Sequence, residues 1–112
     1  MQLITAIVKP HKVEDVTDAL KAAGAIGMTI TEVRGFGRQG GHTETYRGTE
    51  YEITFIPKVE VKVVAADEAV DTLVDAIVTA ARTEHIGDGK VWVTPVDRLI
   101  RIRTGEEGTD AI

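Results

Sequence analysis

The chain of 112 residues contains no cysteine and no serine. Without cysteine it can form neither a disulfide framework nor a thiolate metal site. The usual serine and cysteine nucleophiles are missing as well, which argues against covalent catalysis. No apolar run reaches the roughly eighteen residues of a membrane helix, and the N-terminus lacks the pattern of a signal peptide. We therefore expect a single cytoplasmic domain, residues 1–112.

Aromatic residues make up only 4% of the chain, and its net charge is −5. Nucleic-acid-binding proteins carry basic surfaces, and sheet-based RNA modules stack bases on strand aromatics. The predicted strands offer little beyond Trp92, so nucleic acid is not an expected partner. The stretch from Arg82 to Arg103 nevertheless holds five basic and three acidic residues. That local excess suits a small anion, with scattered surface charge as the alternative.

Both halves of the chain show the order strand, helix, strand. Apolar alternation predicts the strands, and apolar residues at spacings of three and four predict the helices. The predicted strands are Leu3–Val8, Met28–Arg34, Val59–Val63 and Val91–Val93, with a further short strand at Leu99–Arg103, and the helices are Val13–Ala23 and Val70–Ala81. Two such halves predict a ferredoxin-like α+β sandwich with both helices on one face of an antiparallel sheet. The valine-rich open face favours an oligomer that covers it.

About twenty residues between the two halves fit neither strand pattern, and loops this long usually have a function or are disordered. The segment opens with GFGRQGG from Gly35 to Gly41, continues as HTETYRGTEYEITF, and closes at Pro57-Lys58. It contains G-x-G-x-x-G, but no helix pattern follows, so a dinucleotide-binding turn is rejected. The glycines either let backbone N–H groups approach an anion or form a flexible hinge.

Three further elements could bind anions. IGDGK, from Ile86 to Lys90, combines two glycines with a lysine, although such a sequence is often a simple turn. Arg101 and Arg103 would project to one face of a strand, where guanidinium groups suit phosphate, or else lie on a solvated edge. Lys58 follows a proline that fixes the local backbone, and would bind a carboxylate or simply be exposed. The three histidines show no metal-ligand spacing.

These motifs give the chain a close resemblance, from end to end, to the PII nitrogen-regulatory signalling proteins. YRGTEY, from Tyr46 to Tyr51, resembles their tyrosine-bearing T-loop motif. TEHIGDGKVWV, from Thr83 to Val93, resembles their second signature, and RIRTGE resembles their C-terminal segment. The resemblance implies a homotrimer with a protruding T-loop at 37–57, a nucleotide loop at 82–90 and a C-terminal loop at 102–112.

The resemblance also implies the ligands and the residues that hold them. ATP or ADP would lie in clefts between subunits, and 2-oxoglutarate would bind through Mg²⁺ beside the ATP. The implied phosphate cradle is Gly35, Gly37, Arg38, Gly87, Asp88, Gly89 and Lys90, with Arg101 and Arg103 from the neighbouring subunit. Ile7, Thr29 and Val64 would line the adenine pocket. Gln39 would join ATP in holding Mg²⁺ with 2-oxoglutarate, and Lys58 would bind the distal carboxylate.

The implied partners are an ammonium transporter, which would bring the protein to the membrane, enzymes of nitrogen assimilation and their regulators. A nucleotidyltransferase would modify Tyr51, by uridylyl or adenylyl transfer. The expected protein is a sensor rather than an enzyme. Two rivals are a ferredoxin-like enzyme acting on phosphoryl or acyl-phosphate groups and an RNA-binding module. The chain departs from the usual family pattern at several positions, among them Gly40, Lys62 and the pair Glu84-His85, which replaces Gly-Lys.

Overall fold

The computed structural model describes residues 1–37, 42–46, 49–53 and 55–112, and for 42–46 and 49–53 the description is that of the backbone. Four strands form an antiparallel sheet: β1 (Gln2–Val8), β2 (Thr29–Gly35), β5 (Ile56–Ala65) and β6 (Lys90–Pro95). Their order in the sheet is β2-β5-β1-β6. The helices are α1 (Val13–Ala22) and α2 (Val70–Ala81). This arrangement confirms the predicted α+β architecture of two helices on an antiparallel sheet.

The core lies between the helices and one face of the sheet. Alternate residues of the two central strands point toward the helices, because side chains alternate across a strand. Those of β1 are Ile4, Ala6 and Val8, and those of β5 are Val59, Val61, Val63 and Ala65. Val16 and Leu20 of α1 and Leu73 and Ile77 of α2 close over them. The apolar stripe on each helix, which recurs about every 3.6 residues, therefore packs against the apolar face formed by every second residue of the strands.

The first helix ends where the sequence predicts that it should. Ala23 donates its N–H to the carbonyl of Ala19, and Gly24 follows with φ of +101°. Glycine adopts this left-handed conformation without a Cβ penalty, so it terminates α1 and turns the chain toward β2.

Neither α1 nor α2 covers the opposite face of the sheet, which we call the open face. On β5 it presents Lys58, Glu60, Lys62 and Val64, which alternate with the core residues. Register places Thr5 beside Lys62 and also beside Trp92 of β6. Trp92 is 44% exposed, so this chain leaves a large aromatic side chain partly in solvent on the open face.

The segment between β2 and β5 differs from its prediction. It contains two short strands, β3 (His42–Tyr46) and β4 (Thr49–Ile53), which pair antiparallel as a separate sheet. In sequence, β4 alternates Tyr51 and Ile53 with Glu50 and Glu52, but β3 is polar except for Tyr46, so the pattern of the pair is weak. β5 also begins earlier than expected, at Ile56, so that Pro57 and Lys58 belong to the sheet.

The predicted strand at Leu99–Arg103 is wrong. Ile100 forms only an isolated bridge to Glu107. The backbone hydrogen bonds are satisfied locally: Arg101 donates to Glu106, Gly105 donates to Arg101, and Gly108 donates to Leu99. Because Gly105 and Gly108 adopt left-handed conformations, the chain folds back on itself instead of extending along the sheet. Arg101 and Arg103 therefore do not share the face of a strand.

The core predicts a large difference between two isoleucine truncations. Ile77 is fully buried, whereas Ile26 is 82% exposed. We expect Ile77→Ala to lower the free energy of unfolding by about 2–5 kcal/mol because it leaves a cavity, and Ile26→Ala to change it by less than about 0.5 kcal/mol. Urea unfolding at one fixed protein concentration measures both. Similar losses in the two variants would contradict this position of the core.

Candidate functional site

A cleft of about 700 Å³ lies where one end of the open face meets the turn before β6. The open face contributes Ile7, Lys58 and Glu60, and the start of β6 contributes Lys90 and Trp92. The end of β2 and the residues after it form a second wall, and the turn itself forms a third. The walls bring the predicted residues Gly35, Gly37, Gly87, Asp88 and Gly89 together with Lys58 and Lys90.

Gly89 is packed so closely that no other residue fits. A Cβ at this position would lie 1.7 Å from the carbonyl oxygen of Ile7. Its φ of +98° is also a left-handed conformation, which disfavours any residue with a side chain. The turn therefore rests directly on the backbone of β1, and Lys90 starts β6 at the edge of the cleft.

The Asp88 carboxylate organises the turn through a set of contacts that we call the Asp88 clasp, formed by Lys9, Thr83, Glu84 and Asp88. One carboxylate oxygen accepts hydrogen bonds from the backbone N–H of Thr83 at 2.7 Å and of Glu84 at 2.9 Å. The other accepts one from the Thr83 hydroxyl and pairs with the Lys9 ammonium at 3.1 Å. Both carboxylate oxygens are therefore engaged in holding the turn.

These contacts stabilise the charged form of Asp88. The Thr83 hydroxyl and N–H, together with Lys9 and the Glu84 N–H, hold the pKa of Asp88 well below its ordinary value of 3.8, although desolvation opposes them. A depressed carboxyl pKa stabilises the fold above the unfolded value, about pH 4, and this contribution is lost as the pH falls toward the native pKa. The turn is therefore in its most stable form at neutral pH.

Lys58 brings a buried cation to the floor of the cleft. It is 9% exposed, and its ammonium donates a hydrogen bond to the carbonyl of Gly87. Burial and the nearby Lys9 ammonium lower the pKa of Lys58 from 10.5, whereas the Asp88 carboxylate acts in the opposite direction. An anion bound beside Lys58 would favour the charged form that burial disfavours.

Glu84 is the one residue other than glycine with a left-handed backbone in the part of the chain that the structure describes, with φ of +67°. It occupies the position where the PII pattern usually has glycine. In this conformation the Glu84 N–H donates its hydrogen bond to the Asp88 carboxylate. A residue with a side chain in the left-handed region adds local backbone strain that glycine would avoid.

Two residues predicted for the adenine pocket lie outside the cleft. Thr29 and Val64 are on the open face, farther along the sheet, while Ile7 alone of the predicted adenine pocket lines the cleft. Arg38 and Gln39 lie outside the described residues, and Tyr51 belongs to β4, of whose side chains nothing is described. One chain thus brings together the described glycines and lysines of the predicted site, whereas Thr29 and Val64 lie apart from them.

The C-terminal arginines are placed differently from each other. Arg101 donates hydrogen bonds to the Glu106 carboxylate at 2.8 Å and to the carbonyl oxygen of Ile112 at 3.0 Å. Arg103 is exposed in the turn that follows. Neither residue lines the cleft of its own chain.

Sequence reasoning missed Lys9 and Thr83, which hold the turn, and Phe36, Ile86 and Trp92, which give the cleft its apolar lining. In the sequence, Lys9 marked only the end of the first predicted strand. The motif from Thr83 to Asp88 contains a hydroxyl and a carboxylate five positions apart, but nothing in this spacing distinguishes a closed turn from an open one.

Within the described part of the chain, no helix is long and apolar enough to cross a membrane. The same residues contain no group of three or more histidine, aspartate or glutamate side chains that could hold a metal ion.

The fold and the cleft define a small α+β protein in which a glycine-lined cleft with two lysines lies beside the chain segment between β2 and β5. A family model described as Nitrogen regulatory protein P-II matches residues 1–106. The chain is 56% identical to Nitrogen regulatory protein P-II of Cereibacter sphaeroides, over 100% of both chains. It is 57% identical to the protein of that name from Pasteurella multocida and to Nitrogen regulatory protein P-II 1 of Escherichia coli strain K12, again over 100% of each chain.

The chain therefore belongs to the P-II family of nitrogen regulatory proteins. Members of this family are signalling proteins that bind small-molecule effectors and act on partners in nitrogen metabolism, and they are not enzymes. Membership confirms the resemblance that the sequence motifs predicted and excludes the phosphoryl-transfer enzyme that was its rival.

Two glycines test the packing of the turn. Gly89 and Gly105 both have left-handed φ values, but a Cβ at Gly105 would meet nothing within 4 Å. We expect Gly105→Ala to cost about 1 kcal/mol of unfolding free energy through its backbone alone. Gly89→Ala should cost at least about 2 kcal/mol more, because it also clashes with Ile7. Equal costs in urea unfolding would show that Gly89 does not rest on β1.

Glu84 permits a second stability test. We expect Glu84→Gly to be more stable than Glu84→Ala by about 0.5–1 kcal/mol, since glycine removes the left-handed penalty. Asp18 is the matched control, because it is exposed in the interior of α1. There the order should reverse, with Asp18→Ala the more stable by about 1 kcal/mol. Thermal unfolding of the four variants measures both differences, and the same order at both positions would contradict the strain at Glu84.

Proposed function

We propose that this protein is a trimeric sensor that binds ATP or ADP and 2-oxoglutarate and controls its partners through the T-loop, residues 37–57. The observation that carries the proposal is the cleft itself. It gathers Lys58 and Lys90 with the glycine-rich turn and the glycines at the end of β2. Cations beside glycine-lined backbone are what phosphate and carboxylate ligands require.

The nucleotide would bind with its phosphates near Lys90, Gly87 and Gly89, with Arg38 completing the cradle. Arg101 and Arg103 of a neighbouring subunit would reach the same phosphates, a role supported by their position outside the cleft of their own chain. Ile7, Thr29 and Val64 would supply the adenine pocket. Since these three residues are spread over the open face, association of open faces is needed to complete the site.

The dicarboxylate 2-oxoglutarate would place its distal carboxylate on Lys58. Its keto-acid end and the ATP phosphates offer oxygen ligands, and Gln39 adds an amide oxygen. This donor set fits Mg²⁺, which prefers oxygen and usually retains water with few protein ligands. The metal would supply the electrostatic link between the two ligands, so each should bind more tightly in the presence of the other.

The proposed site includes residues at both ends of the T-loop. Gly35 pairs with Ile56 at the end of the β2–β5 ladder, and Lys58 is two residues farther into β5. A ligand held between these two ends can shift the T-loop between conformations only if it binds those conformations with different affinities. The T-loop would then select partners: an ammonium transporter, nitrogen-assimilation enzymes and their regulators, and the nucleotidyltransferase that modifies Tyr51. The protein would act in the cytoplasm and at the membrane through the transporter.

Calorimetric titration of 2-oxoglutarate with and without Mg-ATP tests the coupling. We expect Mg-ATP to tighten 2-oxoglutarate binding by at least about fivefold, the lower end of typical coupling between linked sites. An unchanged affinity would rule out the joint site.

Two lysine variants separate the ligands. Lys58→Met should remove most 2-oxoglutarate affinity while leaving ATP affinity within about threefold, whereas Lys90→Ala should weaken ATP itself by about tenfold or more. Analytical ultracentrifugation provides the control that both variants remain trimers. If Lys58→Met weakened both ligands equally, its assignment to the carboxylate would be wrong.

A further inference from the structure

The end of β1 holds the turn 83–89 at two points. Gly89 rests on the carbonyl of Ile7, and two residues later Lys9 pairs with the Asp88 carboxylate at 3.1 Å. Lys9 also donates a hydrogen bond to the Thr83 hydroxyl at 3.2 Å. It therefore contacts both ends of the loop that the clasp closes. The Lys9 side chain is only 13% exposed, yet it does not line the cleft.

We propose that Lys9 is a positioning residue for the cleft, which fixes the turn 83–89 through its ion pair with Asp88 and so places Gly87 and Lys90 for an anionic ligand. The inference rests on the proposed function for the identity of that ligand, taken as ATP. The restraint of the turn itself stands on the contacts of the clasp and can be measured without any ligand.

The physical reason lies in the partial burial of Asp88, whose side chain is 23% exposed. A carboxylate in this setting that loses its cation must draw in water or reorient to regain a partner. Either response loosens the hydrogen bonds from the Thr83 and Glu84 N–H groups. Gly87, whose carbonyl accepts from Lys58, lies next to Asp88 and would move with it. The cleft would then lose the geometry of one wall although every residue lining it is unchanged.

Amide hydrogen exchange followed by NMR tests the restraint in the ligand-free protein. We expect Lys9→Met to accelerate exchange at Thr83 and Glu84 by about tenfold, the effect of one partly buried ion pair. Lys12→Met is the matched control, because Lys12 forms a longer ion pair of 3.7 Å with Asp15 on the surface. It should leave these two amides unchanged. Lys9→Arg keeps a cation and should restore exchange to within about threefold of wild type.

ATP calorimetry distinguishes positioning from the simple loss of a nearby positive charge. If Lys9 positions the turn, Lys9→Met and Asp88→Asn should each weaken ATP binding by about tenfold, and the double variant should be no weaker than the weaker single variant. If Lys9 acted only through the long-range attraction between its positive charge and ATP, Asp88→Asn would instead tighten ATP binding because it removes a negative charge.

Unchanged exchange in Lys9→Met, or tighter ATP binding in Asp88→Asn, would overturn the inference. Failure of the wild-type protein to bind ATP would refute the proposed function instead, and the exchange measurement would still decide whether Lys9 restrains the turn.

Discussion

The packing of one glycine against one carbonyl group determines the form of the candidate site. Where Gly89 rests on Ile7, the last turn before β6 is pressed onto the central strand of the sheet, and no side chain separates them. That contact sets the distance between the turn and the open face, and hence the space in which Lys58 and Lys90 face a common cleft. The Asp88 clasp then fixes the remaining part of the turn through charge and hydrogen bonds. Steric contact at Gly89 and the charged contacts of the adjacent Asp88 thus restrain the same short segment.

The architecture could be predicted because its signals are local and mutually consistent. In β1 and β5 every second residue is buried, and the stripes on α1 and α2 match that surface, so the pattern alone specified which faces meet. Gly24 was recognisable as a helix end for the same reason, since it follows directly on the last apolar position. The prediction of a C-terminal strand was wrong because the alternation in LIRIR is too short to outweigh the turns that Gly105 and Gly108 permit.

The site was predictable only in part, because its residues come from positions far apart in the chain. The glycines and Lys90 share a compact motif, and the family resemblance identified Lys58. Lys9 carried no such signal: its role depends on the end of β1 lying beside a turn more than seventy residues later. Interactions across that separation follow from the strand order of the sheet, which a sequence pattern does not state. Glu84 shows the converse, since its departure from glycine was visible in the sequence but its conformation was not.

The internal contacts of Arg101 have a consequence for how strongly it can hold an anion. Its guanidinium already holds the Glu106 carboxylate and the Ile112 carbonyl. An anion that binds this guanidinium would therefore exchange one set of partners for another, and most of its attraction would be offset by the contacts that are lost. Arg101 would then add little net affinity for such an anion.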